Sequence, residues 1–554
     1  MRITESLVRK GLLTEAQAAE ARRLQRQEGL RIDQAVLRLG FLKERDLLRA
    51  LAEQLRLPFT DLSETTIDKE TLRSLPPKIV HRKRLLPLAR QNGTLQVALS
   101  DPFDTSPLDD VRLLTGLEIQ PVLAPREEIE KLIKAYYGVG GGTIDEMVGE
   151  ETVEAQADSA GQDLLEMAQE ASVIKLVNEI ILEAVKERAS DIHIEPYENR
   201  LSIRYRIDGV LHEASLPPQI HRFQAAIISR IKILANLNIA ERRVPQDGRI
   251  EFHVGGRQID VRVSVIPMLF GEGVVMRLLD KSNVLFTLPE LGMEEDTFRE
   301  FNALIKRPHG IILVTGPTGA GKTTTLYAAL NAIINPGIKV LTVEDPVEYY
   351  LPGVNQIPVD PRVGMTFERG LRSILRHDPD VIMIGEIRDL ETARAATQAA
   401  LTGHLVLSTL HTNDAASAPI RLIDMGVEPY LVSSTLIGSM AQRLVRRICP
   451  DCKAPYRPDP ASAPEDLGLE PEQSLWRGEG CESCRKTGYR GRTGLYELLV
   501  FNNEIAELVL RRRPTPEIVE AGRRAGLRLL REDGWIKVRK GITTVEEVLS
   551  CTAV

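Results

Sequence analysis

The run Gly-Pro-Thr-Gly-Ala-Gly-Lys-Thr at 316–323 constrains this chain of 554 residues more than any other feature. It follows the apolar segment 310–314 and precedes a segment with helical character, 324–333. Between a strand and a helix, the N–H groups of such a loop surround phosphates, the lysine reaches the β- and γ-phosphates, and the threonine binds Mg²⁺. The sequence therefore predicts a nucleotide site made of Gly316, Pro317, Thr318, Gly319, Ala320, Gly321, Lys322, Thr323 and Thr324.

Two glutamates, Glu344 and Glu386, directly follow further apolar strands of the same region. Ligands bind at the carboxyl ends of parallel strands, so both carboxylates are expected beside the phosphate loop. Hydrolysis needs one carboxylate to activate water and another to help hold Mg²⁺. We assign the first role to Glu344, with Glu348 as the alternative base, and the second to Glu386 together with Thr323. Gly385 stands where an aspartate usually precedes the glutamate, so no direct aspartate ligand is expected.

Two histidines, His404 and His411, bracket another apolar strand. A single histidine more often has a structural role than a catalytic one. His411 lies at the carboxyl end of its strand, where ligands bind, so it is the better candidate for sensing the γ-phosphate or a subunit interface.

Composition limits the functions open to the chain. The net charge is −7 and aromatic residues make up 4% of the sequence. Both values argue against nucleic-acid binding, which needs clustered positive charge and rings for stacking. No apolar run approaches the ~20 residues that span a bilayer, and the N-terminus lacks the apolar core of a signal peptide. We expect a cytoplasmic protein whose membrane contact is peripheral or mediated by partners.

Four of the five cysteines form two Cys-x-x-Cys pairs, Cys449 with Cys452 and Cys481 with Cys484. Such a pair places two thiolates about 3.5–4 Å apart, which suits tetrahedral Zn²⁺. Two pairs complete a shell of four sulfurs and favour a structural zinc site, whereas a redox pair would need no second copy. We expect Cys551 to be an inert thiol.

The chain divides by pattern into several parts. The start contains two copies of a helical repeat, and a glycine-rich acidic segment without lysine or arginine follows the first domain. Such a segment buries little apolar surface and repels itself, which predicts a flexible linker. The predicted parts are 1–137 (helical repeat 1–56, α/β part 57–137), the linker 138–163, an α+β domain 164–290, a nucleotide-binding domain 291–445, a tetracysteine part 446–495 and a helical part 496–554.

The phosphate loop, the acidic segments and the histidine segment together resemble the secretion ATPases of type II secretion systems and type IV pilus assembly. The resemblance covers about residues 1–552 and includes an Asp box at Glu344-Asp345 and a variant ending in Gly385-Glu386. It is also strong in ASDIHIEP from Ala189, AQRLVRRICPDC from Ala441 and GYRGRTGLYEL from Gly488.

The resemblance implies a hexameric ring of subunits, each with a RecA-like P-loop ATPase core preceded by a PAS-like α+β domain. ATP and Mg²⁺ would lie between these two domains, with Arg262 and Arg277 of the preceding domain completing the site. Arg372, Arg376 and Arg388 match arginines near the phosphates or the subunit interfaces. The ring would serve an inner-membrane platform protein and cytoplasmic docking proteins, and would power the assembly of pilin-like subunits.

The N-terminal repeat resembles a module that binds cyclic di-GMP in relatives, where Arg-Leu-Gly precedes each copy. This chain has Arg2-Ile3-Thr4 and Arg31-Ile32-Asp33 instead. An acidic side chain facing an anionic ligand is unfavourable. We therefore predict docking to the membrane platform in preference to binding of the dinucleotide.

Three alternatives remain open at this point. Assembly of type IV pili is the second function within the same family, although 420–430 and 445–450 look closer to the secretion branch. A RecA-type nucleic-acid translocase would be stimulated by DNA. A nucleotide-gated scaffold would bind ATP without turnover.

Overall fold

The computed structural model describes residues 3–62, 65–91, 93–138, 143, 170–254, 256–280, 286–458, 464–470 and 473–552. They form two compact units, Met1–Leu279 and Asp280–Val554. The predicted linker, 138–163, lies outside the described residues apart from Gly138 and Thr143. None of the described helices combines the length and the apolar character that crossing a membrane requires.

The first unit begins with six helices, of which the first four lie within the predicted repeat at 1–56. The hydroxyl of Thr14 caps the second helix by accepting a hydrogen bond from the backbone N–H of Gln17 at 3.2 Å, which is the usual role of threonine at that position. Leu47 and Leu51 of the fourth helix are buried in the core of this region. The helices are α1 (Ile3–Arg9), α2 (Glu15–Glu28), α3 (Ile32–Arg38), α4 (Glu44–Leu55), α5 (Lys69–Arg73) and α6 (Pro77–Lys83).

A small three-stranded sheet with two helices follows. Its strands are ordered β1-β2-β3, with β1 and β2 antiparallel and β2 and β3 parallel. Parallel strands need a crossover, which the intervening helix supplies. The elements are β1 (Leu86–Gln91), β2 (Thr94–Leu99), α7 (Ser106–Thr115), β3 (Glu118–Leu123) and α8 (Arg126–Tyr137).

The remainder of the first unit is the predicted α+β arrangement. Six strands form a sheet of order β6-β5-β4-β9-β8-β7, and two helices contribute their apolar residues to its core. Residues 218–223 form a 3₁₀ turn that leads into the second of these helices. The elements are α9 (Ala171–Lys186), β4 (Asp191–Tyr197), β5 (Arg200–Ile207), β6 (Val210–Glu213), α10 (Gln224–Leu234), β7 (Gln246–Val254), β8 (Arg257–Met268) and β9 (Gly271–Asp280).

The second unit is built on a seven-stranded sheet of order β12-β11-β13-β14-β10-β15-β18. All its neighbouring strands are parallel except the last pair. Every residue of the central strand β10 is buried, because helices and apolar side chains cover both faces. The elements up to the last parallel strand are α11 (Glu295–Leu304), β10 (Gly310–Thr315), α12 (Lys322–Ile333), β11 (Val340–Glu344), β12 (Val354–Pro358), α13 (Phe367–Ile374), β13 (Val381–Ile384), α14 (Leu390–Leu401), β14 (Leu405–Leu410), α15 (Ser417–Asp424), α16 (Pro429–Thr435) and β15 (Leu436–Ile448).

The domain boundaries predicted at 445 and 495 do not match the sheet. Strand β15 continues to Ile448 and pairs antiparallel with β18 (Tyr489–Val500), which closes the edge of the ATPase sheet. The tetracysteine segment, Cys449 to Cys484, is therefore inserted between two neighbouring strands and is not a separate part after the core. It carries the two-stranded ladder of β16 (Lys453–Tyr456) and β17 (Leu475–Gly478).

Four helices follow β18, and a buried carboxylate of that strand contacts the start of the third helix. The carboxylate of Glu497 on β18 accepts hydrogen bonds from the backbone N–H groups of Ala415, at 2.8 Å, and Leu530, at 3.2 Å. Asp533 accepts from the buried ammonium of Lys537 at 2.5 Å. The helices are α17 (Asn503–Leu510), α18 (Thr515–Arg524), α19 (Leu530–Arg539) and α20 (Val545–Thr552).

Candidate nucleotide and metal sites

The phosphate loop connects β10 to α12 in a conformation that depends on glycine. Gly316 has φ of +145° and Gly321 has φ of +86°, which are backbone conformations that other residues adopt only with strain. A Cβ atom added to Gly316 would lie 2.6 Å from the carbonyl oxygen of Gln442. The nine residues predicted for this site therefore form one turn and the start of one helix, as the motif requires.

Lys322 begins α12 and is only 9% exposed. Its ammonium donates hydrogen bonds to the carbonyl oxygens of Gly316, at 2.8 Å, and Pro317, at 3.0 Å. Burial lowers the pKa of Lys322, and the negative charge of Glu386 opposes that shift. The lysine is thus held at the entrance of the loop by neutral acceptors.

Glu344 ends β11 and is 3% exposed. Its carboxylate accepts hydrogen bonds from Thr342 Oγ1 at 2.6 Å, from Gln356 Nε2 at 3.1 Å and from the hydroxyl of Tyr327. Because Tyr327 belongs to α12, the helix that follows the phosphate loop orients this carboxylate directly. Neither Tyr327 nor Gln356 was expected from the sequence at this site.

Glu386 follows β13, which belongs to the same parallel sheet as β10, so it lies at the carboxyl edge from which the phosphate loop starts. Its carboxylate pairs with Arg388, and one of its oxygens lies 3.4 Å from Nε2 of His411. Arg388 also approaches Asp345 at 3.9 Å. The carboxylate predicted to help hold Mg²⁺ therefore lies within a cluster of two acids, one arginine and one histidine.

The two histidines have different surroundings. His404 precedes β14, and its Nδ1 lies 2.9 Å from the carbonyl oxygen of Ala399 and 3.1 Å from the hydroxyl of Thr402. These contacts close the end of α14. His411, at the other end of the strand, is the histidine that reaches Glu386.

The two arginines expected to complete the site, Arg262 on β8 and Arg277 on β9, belong to the first unit, whereas the phosphate loop belongs to the second. Nε of Arg277 donates to Asp191 at 2.9 Å. Their contribution to the nucleotide site stays a prediction.

Strand β15 supplies two residues that sequence reasoning missed at the phosphate loop. The hydroxyl of Thr325 donates to Oε1 of Gln442 at 2.7 Å, and the guanidinium of Arg443 would contact a side chain at Gly316. Strand β15 reaches the phosphate loop because it pairs with β10, which places Ala441 opposite Thr315, the last residue before the loop. The stretch AQRL carried part of the family resemblance, but only the register of the sheet reveals what it touches.

The four predicted metal ligands come together. The Sγ atoms of Cys449, Cys452, Cys481 and Cys484 all lie within 4.8 Å of one another, the only such group of potential ligands among the described residues. Neighbouring pairs are 3.7–3.8 Å apart, close to the ~3.8 Å that tetrahedral bonds of 2.3 Å require. The backbone N–H groups of Cys481 and Gly488 donate to Cys484 Sγ at 3.1 and 3.3 Å, which favours a thiolate. The cluster fits a metal ion with four sulfur ligands.

Comparison with known proteins finds matches to two protein families. The family described as Type II/IV secretion system protein matches residues 166–550, and the MshEN domain matches residues 55–143. The chain belongs to the type II/IV secretion system protein family. The ATPase prediction is thereby confirmed at the level of the family.

Two relatives of this family member match along its whole length. It is 46% identical to the type II secretion system protein E of Xanthomonas campestris pv. campestris, over 100% of this chain and 98% of that protein. It is 42% identical to the type IV pilus assembly ATPase PilB of Myxococcus xanthus, over 100% of this chain and 99% of that protein.

Among solved structures, the ATPase DotB of Legionella pneumophila is similar to this chain, with a TM-score of 0.51 at 23% identity, over 68% of this chain and 95% of that chain. This likeness supports the RecA-like α/β fold.

Proposed function

We propose that this chain hydrolyses ATP as a homo-hexamer at the cytoplasmic side of the inner membrane, to power the assembly of pilin-like subunits for type II protein secretion. The observation that carries the proposal is that the phosphate loop, Glu386 and His411 each follow a parallel strand at the carboxyl edge of the RecA-like sheet, where His411 reaches Glu386. A chain with this site matches a type II secretion protein E from end to end. Inner-membrane platform and docking proteins would be its partners.

In the proposed reaction the protein positions ATP and balances its charge. Lys322 exchanges its loop carbonyls for phosphate oxygens, and the N–H groups of the loop and of α12 surround the phosphates. Mg²⁺ would be held by Thr323, phosphate oxygens and Glu386, and would balance charge on the transferring phosphoryl group. Glu344 would activate the attacking water. Tyr327, Thr342 and Gln356 use three of the roughly four acceptor positions of its carboxylate, which leaves one on Oε2 for the attacking water.

Zn²⁺ is the ion we propose for the cysteine cluster. Four thiolates leave no open coordination position, so the metal would have a structural role. The cluster would hold the inserted segment together beside the ATPase sheet.

The proposed function predicts which additions stimulate turnover. Phosphate release by the full-length protein should rise several-fold with phosphatidylglycerol vesicles or a cytoplasmic fragment of the platform protein. Double-stranded DNA and phosphatidylcholine vesicles should leave the rate unchanged, because the chain is acidic and poor in aromatic residues. A DNA-stimulated rate would contradict the proposal and favour a translocase.

Assembly of type IV pili is the second function that the comparisons support, because PilB matches the whole chain. Expression in two hosts separates the two functions, one lacking its own secretion ATPase and one lacking its pilus extension ATPase. Restored secretion without restored pili is the expected outcome.

The structure bears on cyclic di-GMP through Arg31. Its guanidinium donates to Asp33 at 2.9 Å and to Asp101 at 2.8 Å, and it stacks on Phe103. Although burial opposes the shift, hydrogen bonds to Asp101 and Asp33 raise the pKa of Arg31. Two carboxylates of the chain already occupy the cation, which supports a docking role for the N-terminal domain.

Titration with cyclic di-GMP tests this point. We expect no saturable binding to the full-length protein at micromolar concentration. Asp33→Asn removes one competing charge and should tighten binding by about tenfold, whereas Asp46→Asn, on the exposed first turn of α4, should not. Micromolar binding by the wild type would overturn the docking assignment.

A further inference from the structure

Arg443 occupies a position between the phosphate loop and the segment that follows β14. It lies two residues beyond Ala441, which pairs with the last residue of β10. A Cβ atom on Gly316 would lie 3.2 Å from Nη1 of Arg443. On its other side, Nη2 donates to the carbonyl oxygen of Asn413 at 2.9 Å and to its side-chain oxygen at 3.3 Å. One guanidinium thus touches both the loop and the segment beginning at His411.

Within the described part of the chain, the charge of Arg443 has no ionic partner. Nη1 donates to the carbonyl oxygen of Gln442 at 3.1 Å, so both terminal nitrogens donate to neutral acceptors, and no carboxylate of the described residues forms an ion pair with Arg443. Burial lowers the pKa of Arg443, with smaller opposing effects from Cys551, Glu497 and Asp414. A half-buried cation that meets only neutral acceptors is an unusual arrangement, because buried charges are normally paired.

Lys322 is a second cation beside Gly316 whose hydrogen-bond acceptors are neutral. Its ammonium also rests on neutral carbonyls, one of them that of Gly316. Arg443 contributes to lowering the pKa of Lys322, after the larger effect of burial and the opposing effect of Glu386. The two cations therefore repel each other across Gly316, and an anion bound beside them would stabilise both.

We propose that Arg443 is a positioning residue for ATP hydrolysis. It shares with Lys322 the charge that balances the nucleotide's phosphates, and it holds the segment 411–413 in register with the phosphate loop. The proposal rests on the ATPase function proposed above and extends it to a residue on a different strand. An arginine suits both tasks, because its planar group donates in several directions at once, whereas a lysine offers one compact charge.

Steady-state kinetics of full-length Arg443→Gln, Arg443→Lys and Arg447→Gln test the proposal. Arg447 is an exposed residue of the same strand and provides the control. Arg443→Gln should raise the KM for ATP and lower kcat by about tenfold each, since a hydrogen bond to a charged group is lost. Arg443→Lys should return KM to within about twofold of the wild type, but kcat should stay low, because a lysine cannot hold both Gln442 and Asn413.

The split between KM and kcat is the deciding readout, because simple loss of structure would not separate them. A KM for Arg443→Gln equal to that of the wild type, or recovery of both constants in Arg443→Lys, overturns the proposal. If Arg443→Gln does not fold, Arg443→Lys alone decides by the same split. Absence of ATP hydrolysis in both the wild type and Arg447→Gln would instead refute the proposed function.

Discussion

Replacing Lys322 by alanine is expected to abolish measurable ATP hydrolysis and leave the fold intact. In the transition state the lysine balances charge on the phosphoryl oxygens, and removing one such donor lowers kcat by about 10²–10³-fold. The folded state loses little, because the ammonium contacts only neutral carbonyls and its burial is itself unfavourable. Phosphate release and thermal melting, measured on the same preparation, check both halves of the prediction.

Comparison variants separate binding from chemistry. Lys306→Ala removes an exposed lysine and should leave turnover unchanged. Glu344→Gln should still bind ATP but lose turnover, because an amide of the same shape cannot accept a proton. Glu386→Gln should raise the Mg²⁺ concentration needed for half-maximal turnover. Persistent phosphate release in Lys322→Ala would contradict the site, and release in Glu344→Gln would move the role of base to another group, of which Glu348 is the first to test.

Substitution of Cys449 by serine should remove the metal and unfold the inserted segment. Structural zinc sites contribute about 10–16 kcal/mol at neutral pH, and the segment 449–488 has little other core, since Leu467 and Leu475 are its only described aliphatic residues that are fully buried. Metal analysis should find about one zinc ion per wild-type chain and almost none in the variant. Amide exchange between Cys449 and Gly488 should accelerate, whereas strands β10 and β14 keep their protection.

Cys551→Ser is the matched control for this experiment. Its thiol lies on α20, outside the cluster, and donates to the carbonyl oxygen of Val548 at 3.5 Å. Metal content and amide exchange should remain at wild-type values. Full zinc content in Cys449→Ser, or a metal-free wild type with a protected segment, would contradict the assignment.

The sequence predicted those parts of the site that are local. The phosphate loop is contiguous, and Glu344, Glu386 and His411 each follow a strand whose apolar run is visible in the sequence. Gln442 and Arg443 could not be found in this way, because their contact with Gly316 depends on which strand pairs with β10 and in what register. The same holds for Tyr327 and Gln356, which reach Glu344 only through the packing of the folded sheet.

The pairing of β15 across the cysteine segment could not be found from the sequence for a similar reason. A hydrophobic pattern identifies a strand but not its partner, and here the partner of β15 lies beyond an insertion of about forty residues. A metal motif at both ends of that insertion suggested a separate part of the chain. In the structure, the strands before and after the insertion, β15 and β18, are hydrogen-bonded to each other in one sheet.

The way in which the cysteine segment joins the sheet bears on how such proteins diversify. Its two ends meet at the tip of one hairpin, where the backbone N–H of Cys449 donates to the carbonyl oxygen of Gly488 at 2.9 Å and Ile448 faces Tyr489. A lineage could shorten this excursion to a tight turn without disturbing the strands that support Gln442 and Arg443. Loss of the metal-binding excursion is thus a change that evolution can make in one deletion, while the nucleotide chemistry is inherited unchanged.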